Sequence, residues 1–446
     1  MMDLSSRKRL MTLLVVLTLL IVDSSALAPT PPNRSFLRDR NARAAANSVT
    51  RIAATSTTPA STTLPDVVKK LSINSVDGTA EIEDFIAKED LRLKEKAPSL
   101  SKIRRMLPPD AFEIDTPTSL MYFGLDLAFV AASLTGLYTV VTSDLYRSLP
   151  FYEQAPMVAP LQVLSGFAMW CMWCIGHDAG HGTVSQSKTI SRIVGEIAHS
   201  VVCLTPYVPW QKSHLKHHLN HNHLDRDYSH QWFIREEKDD LPLAFKASYW
   251  TRNFQLPILY LVYLLAGVPD GGHVYFYGRM WENESTEEKI NAAWSSLISI
   301  ATATGLWHLM GTADFAVTIM APWLVCSFWL FMVTYLQHHS DDGKLYTDDT
   351  WTFVEGGFQT VDRDYGKWVN RMSHHMMDGH VVHHLFFAKV PHYKLEDATI
   401  ALQKGLEESG KIDLYKRIDT PDYTQEIIKQ FDENWFFINE AQVVRE

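Results

Sequence analysis

Residues 157–181 read MVAPLQVLSGFAMWCMWCIGHDAGH, an apolar run that ends directly on two histidines. Met157–Ile175 carries no charged side chain, and its length is close to the roughly 20 residues that cross the hydrocarbon core of a bilayer. His177 and His181 follow, and residues four apart share one face of a helix. The stretch therefore predicts a membrane helix that carries a pair of imidazoles at its end.

Three further apolar runs are long enough to be membrane helices, namely Ser119–Thr142, Ala292–Met310 and Phe315–Gln337. Only Gly311–Asp314 separates the last two, and the four runs predict two transmembrane helical hairpins. Two other apolar stretches, Ile190–Trp210 and Leu256–Val268, are short or are interrupted, and we expect them to be interfacial helices. The predicted fold class is an all-α integral membrane protein.

The composition favours a membrane protein and disfavours other classes. Hydrophobic residues make up 46% of the 446 residues, and 13 residues are Trp. The net charge of -10 argues against a nucleic-acid partner, because a phosphate backbone requires a basic face. All 4 cysteines lie in apolar stretches and predict no disulfide framework. Cys171 and Cys174 form a C-x-x-C, but they have no second pair with which to bind zinc.

Two more histidine clusters lie further along the chain, in SHLKHHLNHNHLDRD at residues 213–227 and in HVVHH at residues 380–384. Because a hairpin returns the chain to the side that it left, all three clusters are predicted to lie on one face. The turn loops of the other face hold a single basic residue, in agreement with the positive-inside tendency. We therefore expect the clusters to converge under a helical cap on the cytosolic or stromal side.

The spacing within the clusters predicts metal ligands. His177 and His181 form a pair on one helix face, and each of the other two clusters is expected to aim three rings at one place. These sets of three are His214 with His217 and His218, and His380 with His383 and His384. A zinc ion takes only four ligands, so eight converging imidazoles predict two metal ions. Nitrogen ligation favours iron over magnesium or calcium. A packing role is disfavoured, because imidazoles beside membrane spans are costly unless something binds them.

The three boxes HDAGH, HLKHH and HVVHH, with hairpins between them, resemble those of the integral-membrane acyl desaturase and hydroxylase superfamily. Longer stretches resemble the methyl-end desaturases, the group of oleate and omega-3 desaturases, namely IRRMLPPDAFE at residues 103–113, TVDRDYG at residues 360–366 and DGHVVHHLFFAKVPHY at residues 378–393. The resemblance covers about residues 98–401. One departure is Ala179, where members of the group usually carry Cys, at a position that is not a ligand.

The resemblance implies a di-iron centre that uses O2 to remove two hydrogens from adjacent methylenes of a lipid-linked acyl chain. The ligands that it implies are His177, His181, His214, His217, His218, His380, His383 and His384. A further ligand is expected in TYLQHHSDD, where we favour His338 over His339. Five other histidines are either second-sphere groups or surface groups, namely His221, His223, His230, His374 and His375. Asp178, Asp227 and Asp364 either accept hydrogen bonds from ligand rings or are solvated or salt-bridged.

Two alternatives share parts of this pattern. A lipid hydroxylase, epoxygenase or acetylenase would have the same site and a different product. A membrane metal transporter would need histidines or acids at mid-span depth, whereas these histidines lie at span ends and beyond. No haem-binding His-Pro-Gly-Gly or Rossmann glycine pattern occurs, so electrons must come from an external donor. The expected donor is ferredoxin in a plastid, or a b-type cytochrome with its reductase at the endoplasmic reticulum.

The first box indicates which bond is formed. Oleate desaturases of this group usually read like H-E-C-G-H-H and omega-3 enzymes like H-D-C-G-H-G, and this chain has Asp178 and Gly182. The Asn-His pairs at residues 220–223, together with PWQKSH and SHQW around the second box, also resemble omega-3 sequences. The resemblance therefore implies an omega-3 desaturase, with a delta-12 (oleate) desaturase as the alternative.

The first 65 residues predict a leader. Three basic residues at 7–9 precede a thirteen-residue apolar run, Leu10–Val22, and small residues follow, which is typical of a signal peptide over residues 1–26. Residues 27–65 are rich in Ser, Thr, Ala and Pro, and carry five arginines and one acid, as transit peptides do. Together they resemble the leader of proteins sent to plastids of secondary-plastid algae. A signal peptide followed by a disordered linker is the alternative.

The predicted organisation follows from these segments. Residues 66–118 are expected to form an N-terminal soluble region, and residues 119–337 a membrane domain with the first and second boxes. Residues 338–446 are expected to form a C-terminal cap with the third box.

Overall fold

A computed structural model describes residues 97–227, 230, 232–240, 243, 246, 276, 278–419, 423–433 and 437–445. The predicted leader, residues 1–65, and the predicted interfacial stretch Leu256–Val268 lie outside the described residues. The α-helices are α1 Leu100–Arg104, α2 Thr116–Thr142, α3 Asp144–Ser148, α4 Phe151–His181, α5 Lys188–Gly195, α6 Tyr207–Asn220, α7 Thr286–Met310, α8 Thr312–Phe315, α9 Ala321–His338, α10 Phe353–Gly357, α11 Lys367–Met372, α12 His380–Phe386, α13 Leu395–Glu408 and α14 Tyr423–Glu433. Two π-helical turns are Glu196–Val202 and Ala316–Met320.

Three helical segments among the described residues are long and apolar enough to cross a membrane, namely α2, α4 and the run from Thr312 to His338 that contains α8 and α9. Each overlaps a predicted span and begins earlier than the apolar sequence does. In α2 the early start has a local cause, because the Asp115 side chain accepts a hydrogen bond from the Thr118 backbone N–H and Pro117 lies in the first turn.

The fourth predicted span corresponds to α7, which is 25 residues long but is not one of those three apolar segments. The helix begins at Thr286 rather than at Ala292. Ser285 and Glu288 form a capping box, in which each side chain accepts from the backbone of the other, and this box starts the helix in polar sequence.

The turn after α7 is shorter than predicted. Gly311, with φ 83°, ends α7, and the chain is helical again from Thr312. A positive φ of this kind suits glycine, which has no Cβ. Arg147 Nη2 lies 3.0 Å from Asp314 Oδ2, so this turn contacts the segment that follows α2.

α4 is the central helix of the bundle and packs against both α2 and α9. Every residue from Ser165 to Ala179 is buried. Gly166 permits the close approach of α9, because a Cβ there would lie 2.4 Å from Val325 Cβ. The end of α4 that carries the first histidine pair therefore lies inside the protein.

Three pairs of two-residue parallel strands depart from the all-α prediction. They are β1 Phe233–Ile234 with β5 Phe437–Ile438, β2 Leu345–Tyr346 with β6 Val443–Val444, and β3 Asp362–Arg363 with β4 Arg417–Ile418. In each pair a strand near the C-terminus returns to a much earlier loop. Because the strands are so short and their partners so distant, no local alternation of residues could have predicted them.

The predicted interfacial stretch Ile190–Trp210 contains the end of α5, a π-helical turn and the start of α6. The turn packs against α4 and α7. Gly195, the last residue of α5, lets the start of α6 approach closely, because a Cβ there would lie 2.2 Å from the Tyr207 ring. The stretch thus anchors the helix that carries the second histidine box.

Candidate metal centre

Four helices bring the nine histidines expected as ligands together. The rings stand at the C-terminal end of α4 (His177, His181), on α6 (His214, His217, His218), at the last residue of α9 (His338), and on α12 (His380, His383, His384). His181 and His214 are partly buried and the other seven are buried. Their Nε2 atoms divide into two neighbouring groups.

The first histidine group is His177, His181, His214, His218 and His383, whose ligand nitrogens all lie within 4.8 Å of one another. The Nε2 atoms of His177 and His214 are 2.8 Å apart, and those of His383 and His218 are 3.1 Å apart. Trp210, one turn before His214, stacks on its ring with 4.6 Å between the centroids. Ring packing thus fixes the direction of at least one imidazole of the group.

The second histidine group is His217, His338, His380 and His384, with successive Nε2 distances of 3.2 Å (217 to 338), 3.3 Å (338 to 380) and 3.1 Å (380 to 384). His217 Nδ1 donates to an Asp227 carboxylate oxygen at 2.9 Å, and His380 Nδ1 donates to the Met376 carbonyl at 3.0 Å. A neutral imidazole carries one N–H, so the Nε2 atoms of these two rings hold lone pairs. Both lone pairs point among the neighbouring Nε2 atoms of His338 and His384, and a cation bound there would accept lone pairs from several of these rings at once.

Five rings outside the membrane spans are held in the neutral form. Burial lowers the pKa of His214, His218, His383 and His384 well below its usual range, and it lowers the pKa of His380 to about 3. Neutral imidazole is the form that binds a metal. A donor set of imidazole nitrogens, with no carboxylate in either group, fits iron and does not fit magnesium or calcium.

The spacing predicted that the second and third boxes each aim all three rings at one place. That prediction is wrong, because each box divides its rings between the two groups. In α6, His214 and His218 belong to the first group and His217 to the second. In α12, His380 and His384 belong to the second group and His383 to the first. At 3.6 residues per turn, positions four apart differ by only about 40° around the axis, whereas adjacent positions differ by about 100°. The i, i+4 pairs therefore stay together, and the third ring turns to the other group.

Two of the three acids proposed as acceptors lie beside expected ligands. Asp227 accepts from His217 as described, and Asp178 Oδ1 lies 3.5 Å from His177 Nδ1. Asp364 instead accepts hydrogen bonds from the Gly366 backbone N–H and the Asn370 side chain, at the start of α11 and away from both groups. A hydrogen bond to a carboxylate fixes the tautomer and direction of a ligand ring.

The remaining histidines separate by position. His221 and His230 lie against the second group, with ring centroids 4.8 Å from His384 and 4.9 Å from His338 respectively. His223 points elsewhere, and its Nε2 lies 3.2 Å from an Asp348 carboxylate oxygen. Of the two histidines in TYLQHHSDD, His338 faces the second group, whereas His339 Nδ1 donates to the Tyr335 carbonyl at 2.7 Å.

Two residues that support the second group were not singled out from the sequence. The buried Asp362 accepts the Val381 backbone N–H at 2.8 Å, at the start of α12. The buried Arg363 donates to the Leu336 and His339 carbonyls, both at 3.0 Å, at the end of α9. These hydrogen bonds satisfy a backbone N–H at the start of α12 and backbone carbonyls at the end of α9, which have no partner within their helices. The sequence signal that could have pointed to these two residues was the adjacent acid and base in TVDRDYG, residues 360–366.

Comparison with known proteins agrees with the geometry of the site. A model of the family described as fatty acid desaturase matches residues 154–413. A delta-12 fatty acid desaturase of Caenorhabditis elegans is 30% identical over 76% of this chain and 85% of its own length. An omega-3 fatty acid desaturase of the same species is 32% identical over 74% of this chain and 82% of its own length.

A third relative, an sn-1 acyl-lipid omega-3 desaturase (ferredoxin) of Synechocystis, is 31% identical over 70% of this chain and 82% of its own length. The family match covers more than half of the chain and includes every histidine of both groups. The chain therefore belongs to the fatty acid desaturase family and is an integral membrane oxidoreductase.

Proposed function

We propose that the two histidine groups hold a pair of iron ions and that the protein is an acyl-lipid omega-3 fatty acid desaturase. The observation that carries the proposal is the convergence of imidazole lone pairs on His338 in the second group, next to five further rings of the first group. When bound, the iron pair would supply the O2-dependent oxidation that removes two hydrogens from adjacent methylenes, which acid and base side chains cannot perform.

The proposed ligands are His177, His181, His214, His218 and His383 for one iron and His217, His338, His380 and His384 for the other. The rest of the chain positions these rings. Asp227 and the Met376 carbonyl hold the N–H of their partner rings on Nδ1, which leaves Nε2 free to bind metal. Burial of most of the rings excludes water from the site and strengthens its electrostatic interactions.

The omega-3 specificity is supported by the first box. Gly182, with φ 76°, ends α4 directly after His181, and nothing lies within 4 Å of the position of a Cβ there. Asp178, one methylene shorter than Glu, lies beside His177. Compared with the Glu and the second His that oleate desaturases usually carry in this box, both residues alter the surroundings of rings in the first group. The alternative is a delta-12 desaturase, and sequence identity does not separate the two, since it is 30% to a relative of that name and 32% to an omega-3 desaturase.

The test is expression in a host without polyunsaturated lipids, fed either oleate or linoleate, with mass-spectrometric location of new double bonds. We expect linoleate-type chains to gain an omega-3 double bond and oleate to be a poor substrate. Efficient conversion of oleate to linoleate, without an omega-3 product from linoleate, would support the delta-12 alternative. A hydroxylated or epoxidised product would assign the chain to that other branch of the superfamily.

A matched pair of variants tests the role of the first box. The double variant Asp178→Glu with Gly182→His carries the residues typical of oleate desaturases, and His is among the residues that tolerate a positive φ. We expect it to raise the ratio of oleate to linoleate conversion. Ala179→Cys lies on the same turn and should leave this ratio unchanged. An unchanged ratio in the double variant would show that the first box does not determine the specificity.

The proposal extends to topology and domain organisation. We infer two transmembrane hairpins, α2 with α4 and α7 with the run from Thr312 to His338, and the contact of Arg147 with Asp314 supports turns on a shared face. Residues 119–337 would form the membrane domain and residues 338–446 the helical cap. Cysteine labelling from each side of sealed vesicles, at Ser148 and at Lys404, should report opposite sides.

Localisation and the electron donor are linked in this proposal. If residues 1–26 are a signal peptide and residues 27–65 a transit-like segment, the protein acts in the plastid of a secondary-plastid alga and ferredoxin is the donor. A fusion of Met1–Pro65 to a fluorescent protein should then reach the plastid, and Leu27→Asp should retain it in the secretory system. Residence of the unmodified fusion in the endoplasmic reticulum would favour a b-type cytochrome and its reductase.

A further inference from the structure

An acid and a histidine outside both histidine groups form a buried pair between α2 and the segment before α12. Asp126 lies about 15 Å along α2 from its first residue, at 1.5 Å per residue, and it is 4% exposed. His374 Nε2 lies 2.6 Å from an Asp126 carboxylate oxygen, and the ring donates because a carboxylate only accepts. An acid inside a membrane helix is costly, so its presence points to a partner and a role.

The segment that receives this acid is strained. His374 and His375 both have φ 56°, a left-handed conformation that residues other than glycine rarely adopt. Such strain persists where the surroundings hold the backbone in place, and it is concentrated at functional sites. The residue before them, Ser373, accepts a hydrogen bond from Trp170 Nε1 of α4 at 2.9 Å. Two membrane helices thus hold one strained turn.

The strained turn sets the direction of a ring in the second group. Its next residue, Met376, provides the carbonyl that accepts from His380 Nδ1 at 3.0 Å. The Met377 carbonyl accepts from the Gln337 side chain, beside His338 at the end of α9. Side chains of α2, α4 and α9 therefore hold residues 373–377 in the position from which the turn orients His380.

A second branch leads from the same pair to the first group. The His374 ring lies against the His392 ring, with 4.5 Å between the centroids. His392 Nδ1 lies 3.0 Å from Asp178 Oδ2, and the other oxygen of Asp178 faces His177. All of these side chains are buried. A displacement of His374 would therefore be transmitted to both groups.

We propose that Asp126 is a positioning residue of the metal centre and acts through His374 on the rings of both groups. The inference rests on the proposed di-iron function, since it concerns how that centre is held. It adds an acid in the first span to the residues that determine metal occupancy, although this acid contacts none of the nine histidines.

The test compares Asp126→Leu, Asp126→Asn and Ser133→Ala in the purified full-length protein. Asp126→Leu removes the acceptor, whereas the amide oxygen in Asp126→Asn can still accept from His374. Ser133 is buried on the same helix, and its hydroxyl donates to the Val130 carbonyl of that helix. Its replacement is therefore the matched control. Three quantities are measured, namely iron per chain, the Mössbauer spectrum of the reduced protein and turnover.

We expect Asp126→Leu to lower turnover by about tenfold, the lower end of the effect of removing a group bonded to a ligand, with less iron per chain and altered Mössbauer parameters in the iron that remains. Asp126→Asn should be intermediate, and Ser133→Ala should match the unmodified protein. His374→Asn should resemble Asp126→Leu, because Asn tolerates a positive φ but is too short to reach the acid. That variant separates the loss of the pair from the loss of the backbone conformation.

Iron content and a Mössbauer spectrum of the unmodified kind in folded Asp126→Leu protein would overturn the inference, even if the yield of that protein were lower. Such a result would assign Asp126 to folding alone. An unmodified protein that binds no iron would instead refute the proposed function, and the inference with it. The two failures are therefore distinguishable.

Discussion

The two histidine groups have the same kind of donor atom but are held in different ways. The first group draws its five rings from α4, α6 and α12 and is packed against aromatic rings such as Trp210. The second group draws its four rings from α6, α9 and α12, and two of them have Nδ1 fixed by Asp227 and by the Met376 carbonyl. Adjacent histidines of one box therefore belong to different groups, and the second group includes a ring from outside the boxes, His338.

The largest expected effect comes from removing a single ring, either from the first group or from the second. His217→Ala and His383→Ala should each lower desaturation by more than about 100-fold, because the site holds two metals only as a set. The protein should remain in the membrane, and iron per chain measures the loss. His308→Ala, an exposed histidine of α7, is the control. Unchanged iron and activity in either ring variant would reject both groups as metal sites.

The second prediction tests whether the second group needs its ring from outside the boxes. His338→Ala removes the ring on which two lone pairs converge, and we expect about half of the iron to be lost and turnover to fall by about 30-fold or more. His339→Ala changes the adjacent position, whose ring bonds to the backbone of its own helix, and it should retain both irons. Equal effects of the two substitutions would show that His338 has no special role.

The sequence predicted the histidines of both groups and three of the membrane segments, because box spacing and apolar length are local properties. It did not predict how the groups divide, since that depends on the angles at which α6 and α12 meet. The strand pairs and the supporting contacts of Asp362 and Arg363 were also not predicted, because each joins residues that are far apart in sequence. Asp126 was visible only as an acid in an apolar run, and its partner could be found only in three dimensions.

The third prediction concerns the acid that is specific to the second group. Asp227→Asn should reduce iron affinity by about tenfold, because an amide accepts more weakly than a carboxylate and leaves the tautomer of His217 less fixed. The Asp227 side chain also accepts from the Asn222 backbone N–H at 3.0 Å, so the thermal unfolding temperature should be measured in parallel. Asp364→Asn is the control, since Asp364 accepts at the turn before α11. Similar iron affinities in the two variants would contradict the role of Asp227.

The smallest expected effect concerns the histidines that surround the second group without joining it. His230 lies against His338, and burial lowers the pKa of His230 to about 4. The ring is therefore neutral at physiological pH, and His230→Gln replaces one neutral polar group with another. We expect turnover to fall by about two- to fivefold, through looser packing of His338, while iron per chain remains unchanged.

His223→Gln provides the matched comparison. His223 lies in the same loop, but its ring points to Asp348, a side chain that is about half exposed. The His223 ring is buried, but its partner carboxylate is about half exposed and can bond to water instead, so turnover should change by less than about twofold. An effect in His223→Gln as large as that in His230→Gln would mean that the loop acts as a unit. In that case contact with the second group would not be the property that makes a neighbouring histidine important.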